Sequence, residues 1–255
     1  MKKKRDIVTR QVYKWKAGLN MHGGQQYYVV NYLDTYSPVV NWLSISTLLT
    51  MAAINKCHSS QVDFIQACLQ APIDYELYME LPKGFKTKEG DRSTHVLKLL
   101  NNLYGQNQAG QVWNHHLNDA LRQVIFKQSS VDECVRYKNK TIFFYCVDYG
   151  IFMGPESKSI DRAIKEIEKA GLDIEDKVNI EDYMGVNIKD KDNGNINLTQ
   201  PQIINSVINN TQILNNTAPR QMPDFSAKIL RCDAASPPFD ERFNYRAVVG
   251  NLNLH

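Results

Sequence analysis

Residues 142–153, IFFYCVDYGIFM, read as a β-hairpin carrying one carboxylate, Asp148, at its tip. Ile142, Phe143, Phe144 and Tyr145 before it and Ile151, Phe152 and Met153 after it are strand formers, and Tyr149-Gly150 is the expected reversal. So apolar a hairpin has to be buried, and a carboxylate taken out of water is costly unless it is hydrogen-bonded, paired or metal-bound. Taken alone, Asp148 reads as a turn residue accepting amide hydrogen bonds, an ordinary use of Asp. A second acid brought to the same place changes that meaning.

The flanking sequence supplies candidates. Helical spacing runs from Ser44 to Lys56 and gives way to a strand, Ser60–Phe64, with Asp63 inside it. Short strands are expected at Leu77–Glu80 and Thr94–Leu99, with a turn at Pro82-Lys83-Gly84. Residues 108–126 form an amphipathic helix with Val112, Trp113, His116, Leu117, Ala120, Leu121 and Val124 on one side. After the hairpin come a charge-paired helix, Ser157–Ala170, ended by Gly171, and a strand at 183–189. Asp192-Asn193-Gly194 turns into Ile196–Thr199, and Pro201 opens a helix to about Asn210. Near the start, extended segments at Gln11–Tyr13 and Gln26–Val30 flank a turn at His22-Gly23-Gly24, whereas residues 215–241 read as an irregular tether. The order describes an α+β layer with Asp63 and Asp148 on neighbouring strands.

Composition removes several alternatives. With 255 residues, 43% of them hydrophobic, the chain can bury a sizeable core and is not a disordered tail. Five cysteines without a CxxC pair or a neighbouring His at zinc-ligand spacing support neither a zinc site nor a disulfide framework, and place the chain in a reducing compartment. With no signal sequence and no apolar run of membrane-spanning length, the expectation is an intracellular, non-secreted protein without a membrane partner. Net charge is +3, and the basic groups crowd the start: MKKKR, then Arg10, Lys14 and Lys16. That crowding suits a polyanionic partner as well as a solvated surface. Paired acids also serve hydrolases, yet no Ser or Cys nucleophile has a placed base. His115 and His116 follow Trp113 on the helix, where His116 reads as packing or surface, and Asp132-Glu133-Cys134, Trp15, Trp42 and Trp113 read as packing. Two carboxylates converging on a pair of divalent ions suit nucleotidyl transfer, in which a 3′-hydroxyl attacks and pyrophosphate departs. Magnesium fits such a task, being held by a few carboxylates and substrate phosphates.

At that point the residues resemble a known family. VYKWKAGLNMHGGQQ, NYLDTYSPVVNW, QVDFIQACLQAPI, LYMELPKGF, HVLKLLNNLYGQNQAGQVWN, SSVDECVRY, FFYCVDYGIFMGP, IEDYMGVNI and NINLTQPQI occur in the order and spacing of the reverse transcriptase domain of Ty1/copia-type retrotransposon polyproteins. The resemblance implies a right-hand polymerase fold with fingers, a palm built on an antiparallel sheet, and a partial thumb. It implies a reverse transcriptase domain over residues 1–212 and a tether, 213–255, toward an RNase H domain absent from this sequence, as in a polyprotein fragment. It makes Asp63 and Asp148 the catalytic carboxylates and holders of two Mg²⁺ ions. Phe64, Cys68, Tyr104, Gly105 and Gln108 fall to the nucleotide pocket, with Ala109 beside them, and Lys14 and Lys16 to phosphate contacts. Asn197–Gln200 correspond to the hairpin beside the primer end. The implied partners are an RNA or DNA template with its primer, dNTPs and other parts of the polyprotein.

The departures from the family lie at the same site. The family hairpin is Y-x-D-D, and here Tyr149 stands in the place of the second Asp and Cys146 in that of the leading Tyr. A phenol with a pKa of about 10 stays neutral at pH 7 and is a poor ligand for Mg²⁺. Cys68 stands where the family carries an aromatic ring that blocks a ribose 2′-hydroxyl, Gly18 replaces an arginine, and Asn107 and Gln111 occupy positions often basic. Very low polymerase activity is the expectation. The alternative is a catalytically dead relict that keeps the fold and weak primer–template binding.

Overall fold

The computed structural model describes residues 2–5, 12–16, 18–73, 75–85, 87–88, 90, 92–177, 182–183, 185–190, 196–211 and 249–250. The chain divides into two compact units, residues 1–180 and 181–255. In the first, the elements are β1 (Lys2–Arg5), β2 (Val12–Lys16), α1 (Trp42–Ile54), β3 (His58–Phe64), α2 (Ala67–Gln70), β4 (Tyr78–Glu80), β5 (Val96–Lys98), α3 (Ala109–Gln123), β6 (Lys127–Gln128), β7 (Val135–Lys138), β8 (Thr141–Cys146), β9 (Tyr149–Gly154), α4 (Ser157–Lys169) and β10 (Ile174–Asp176). Six of these strands form one antiparallel sheet in the order β10-β3-β9-β8-β7-β6. β1 pairs with β2 and β4 with β5.

The register puts Val62, Phe143, Tyr145, Gly150 and Phe152 on one face of that sheet. Helices α3 and α4 back this face because each has one apolar side. α3 buries Val112, Trp113, Leu117, Ala120 and Leu121, and α4 buries Ile160, Ala163, Ile164 and Ile167. Trp113 meets Phe64 edge-on at 5.2 Å, and Phe126 meets Phe143 and Phe152 at 6.3 and 6.4 Å. A polar contact ties the sheet to α3 in this layer: the Tyr145 hydroxyl donates to Asn118 Oδ1 at 2.8 Å. Lys138 Nζ donates to the Val124 carbonyl and pairs with Glu166, tying the end of α3 and the side of α4 to the sheet. At the start of α1, Asn41 accepts from the Leu43 amide, while its own amide donates to Asp132 Oδ2. Asp132 and the buried Cys134 are thus packing residues, as expected.

The hairpin turn and the segment after Gly24 differ from the sequence reading. The hairpin reverses at Val147-Asp148, since Tyr149 and Gly150 already pair with Cys146 and Tyr145 in the ladder. Gly150 serves packing instead: a Cβ there would lie 2.3 Å from Phe143 Cε2, in space taken by the ring that stacks on Phe152 at 4.2 Å. Gly150→Ala should therefore lower the unfolding free energy by about 1–3 kcal/mol, the usual cost of overpacking; an unchanged denaturant midpoint would show that Phe143 yields freely. Second, Gln26–Val30 is not a strand. Asn31 Oδ1 accepts from the Tyr27 amide and the Tyr27 carbonyl accepts from Asn31, so a local turn outcompetes β propensity.

The second unit contains β11 (Asp182–Tyr183), β12 (Val186–Asp190), β13 (Ile196–Thr199) and α5 (Pro201–Thr211). Its strands form an antiparallel sheet in that order, with Tyr183, Val186 and Ile188 buried. Gly185, at φ +80°, divides the single strand expected over 183–189. The expected turn at Asp192–Gly194 lies outside the described residues, as does the tether over 213–255 except for Val249 and Gly250. Among the described residues no helix is long and apolar enough to cross a membrane.

Candidate active site

Antiparallel pairing carries Asp63 to the hairpin tip. Asp63 stands opposite Tyr149 and Val62 opposite Gly150, and one step further the Phe64 amide donates to the Asp148 carbonyl at 2.8 Å. Directly opposed residues have Cα atoms about 4.5–5.5 Å apart, so the two acids share one end of the sheet. Both are half-buried, and the tip lies at the surface rather than inside the core.

The tip is fixed from beneath. Val147 adopts φ +48°, a left-handed conformation that a β-branched residue takes only when its surroundings impose it. The indole Nε1 of the buried Trp113 donates to the Val147 carbonyl at 2.8 Å, and the Phe64–Asp148 bond closes the other side.

Cys68 and Tyr104 join the two acids. Burial, then the Asp148 charge, pushes the Cys68 thiol up to about 11. Burial, then Asp148, Cys68 and Asp63, pushes the Tyr104 phenol up to about 12. Both stay neutral at pH 7, and each lies within electrostatic reach of the hairpin acid. Gly105 shapes the approach: at φ +90°, a Cβ there would lie 2.2 Å from the Met21 carbonyl. A Cβ on Gly23 would meet the Gly105 carbonyl at 2.5 Å, so the two glycine-bearing loops touch backbone to backbone. Met21 donates to Tyr104 across this contact, and the Asn107 amide donates to Gln26 Oε1.

The remaining expected site residues sit as follows. Gln108, buried, accepts from Gln26 Nε2 at 3.1 Å and braces the loop pair. Phe64 turns its ring into the core, so only its backbone reaches the tip. Lys14 and Lys16 stand opposite Lys4 and Lys2 in the register of the β1–β2 ladder.

Lys177 escaped the sequence reading. Its Nζ donates to Asp63 Oδ2 at 3.0 Å and lies 5.6 Å from the centre of the Tyr149 ring, and the bond to Asp63 raises its pKa. Its signal was positional. Had Ile174–Asp176 been read as a strand antiparallel to Ser60–Phe64, the two-residue period would have set Lys177 beside Asp63.

Asp63 and Asp148 are hard oxygen donors of the kind Mg²⁺ takes. Yet among the described residues no three His, Cys, Asp or Glu side chains converge to hold a metal. Tyr149 offers a phenol beside Asp63, and Lys177 takes one of its oxygens. As they stand, these groups do not fit a two-metal site.

Comparisons with known proteins bear on the whole chain. The model of a family described as reverse transcriptase (RNA-dependent DNA polymerase) matches residues 1–224. The chain is 27% identical over 201 residues to the retrovirus-related Pol polyprotein from transposon TNT 1-94 of Nicotiana tabacum, covering 76% of this chain and 15% of that protein. It is 26% identical over 243 residues to the retrovirus-related Pol polyprotein from transposon RE1 of Arabidopsis thaliana, covering 94% and 16%. Over 196 residues it is 26% identical to a putative transposon Ty5-1 protein of Saccharomyces cerevisiae, covering 75% and 62%. The chain thus spans less than two thirds of the length of each of these relatives. No solved structure matches it.

Proposed function

This chain belongs to the reverse transcriptase (RNA-dependent DNA polymerase) family, and from that premise we propose that it is a primer-extending module of a copia-type Pol polyprotein whose reaction site is the hairpin tip. The observation that carries the reading is the β3–β9 register, which joins Asp63 to the tip bearing Asp148. In right-hand terms the six-stranded sheet with α3 and α4 is the palm, β1–β2 belongs to the fingers, and the second unit begins the thumb. Lys14 and Lys16 contact phosphates. Cys68, Tyr104, Gly105, Gln108 and the Phe64 backbone line the nucleotide pocket, and Asn197–Gln200 correspond to the primer hairpin of the family.

The substrates are dNTPs and an RNA or DNA template with its primer, handled inside the cell alongside other parts of the polyprotein. The basic start of the sequence, MKKKR with Arg10, Lys14 and Lys16, supports a polyanionic partner. Cys68 leaves more room at the sugar than an aromatic ring, so discrimination against ribonucleotides is weak. The family's members use divalent metal ions, and since the groups here do not fit two of them, catalysis is slow.

A second reading has its own support. Tyr149 directly opposite Asp63 favours a relict that binds primer–template through phosphate contacts, with the salt-sensitive affinity such contacts carry. Primer extension on an RNA template, with Mg²⁺ or Mn²⁺, separates the two. Residual incorporation that falls at least about 100-fold in Asp63→Ala is the expected result. Incorporation indifferent to that substitution sinks the proposed site. Salt-sensitive duplex binding without incorporation selects the relict.

A further inference from the structure

Lys177 and Asp63 lie on the same side of the sheet. Glu175 opposes Asp63, Asp176 opposes Val62, and the Lys177 amide donates to the Gln61 carbonyl, so Lys177 is the diagonal neighbour of Asp63 across the ladder. The strand that carries it is latched at both ends. Ser60 Oγ donates to Asp176 Oδ1 at 2.6 Å, and Gln70 exchanges two hydrogen bonds with the Asp173 backbone. The ammonium itself has two seats: Asp63 Oδ2 at 3.0 Å, and the face of Tyr149, whose centre is 5.6 Å away and within cation–π range.

We propose that Lys177 is a built-in counter-ion of Asp63 that competes with divalent metal for its carboxylate, making Lys177 a determinant of metal affinity at this site. The proposal deepens the polymerase reading and rests on Asp63 being a carboxylate of the reaction site. Mg²⁺ requires oxygen ligands at about 2.0–2.1 Å in strict geometry. An ammonium bonded to one Asp63 oxygen takes up a lone pair there and repels the incoming double charge. At about 5 Å in water-like surroundings that repulsion is worth about tenfold in a binding constant. The lysine side chain is 40% exposed, so it can leave for water, and metal is weakened rather than excluded.

The test is titration of the full 255-residue chain with Mn²⁺ alone, read from the electron paramagnetic resonance signal of the free ion. Lys177→Met keeps most of the aliphatic stem and Lys177→Gln a polar end. Each should bind Mn²⁺ about tenfold more tightly than the parent chain, and the gain should vanish when Asp63→Asn is added. Equal affinity of the parent and both lysine variants overturns the proposal. So does a gain that persists without the Asp63 carboxylate, since the effect would then be a general one of net charge. Primer extension is scored separately, so loss of the polymerase reading and loss of this one remain distinguishable.

Discussion

Trp113→Ala is expected to lower the unfolding free energy by about 3–5 kcal/mol, the usual range for deleting a buried aromatic side chain. Trp113 is 1% exposed, packs edge-on against Phe64, and is the side chain whose N–H reaches the Val147 carbonyl. Its removal opens a cavity under β3 and strips the turn of a restraint at once. Trp113→Phe separates the two effects, because it keeps a ring against Phe64 and loses only the donor. Losing the hydrogen bond to the part-buried Val147 carbonyl costs about 0.5–1.5 kcal/mol, so this variant should fall between the parent and Trp113→Ala in urea denaturation. Equal midpoints for the parent and Trp113→Ala would mean that α3 does not anchor the tip.

Tyr149→Asp is expected to raise the rate of single-nucleotide incorporation by about 10- to 100-fold, the scale on which groups supporting a metal site commonly act. The position suits the change, since Tyr149 is 42% exposed, directly opposite Asp63, and contributes little to the core. Without metal, stability should fall by about 0.2–1 kcal/mol, because the new carboxylate stands directly opposite Asp63 and like charges so placed repel. Combination with Lys177→Met should give a further increase, because the new carboxylate would otherwise offer the ammonium a second anionic partner. Incorporation that remains at the parental level in the double variant, with Mn²⁺ present, would put the defect outside the hairpin tip.

The elements around the site were legible where hydrophobic period dictates structure. The 3.6-residue stripe of α3, the charge pairs and closing Gly171 of α4, the apolar arms of β8 and β9, and the strand holding Asp63 follow from period, from pairing along a helix and from the need to cover apolar faces. The turn was misplaced for a definite reason. A Tyr-Gly pair looks like a reversal, and a β-branched residue such as Val147 is not expected at positive φ, yet Trp113 and Phe64 impose that conformation from elements remote in sequence. β10 was missed because Ile174–Asp176 is short and acidic and lacks alternation; only its ladder with β3 makes it a strand. Lys177 was missed with it, since its position follows from that ladder. The gathering of Cys68 and Tyr104 with the two acids came from family resemblance, not from spacing. The loop that holds Tyr104 meets, backbone to backbone, a loop some eighty residues away in sequence, as Gly23 and Gly105 are.

The bond from the Trp113 indole to the Val147 carbonyl also bears on how such a hairpin ages. A turn whose shape depended on its own residues would lose that shape as they changed. Here the shape is stored in a helix elsewhere in the chain, so Cys146, Val147 and Tyr149 are buffered against substitution while the Asp148 backbone keeps its place. The geometry of the tip is thereby kept apart from its side chains, so its chemistry can change through single substitutions without a refolded tip.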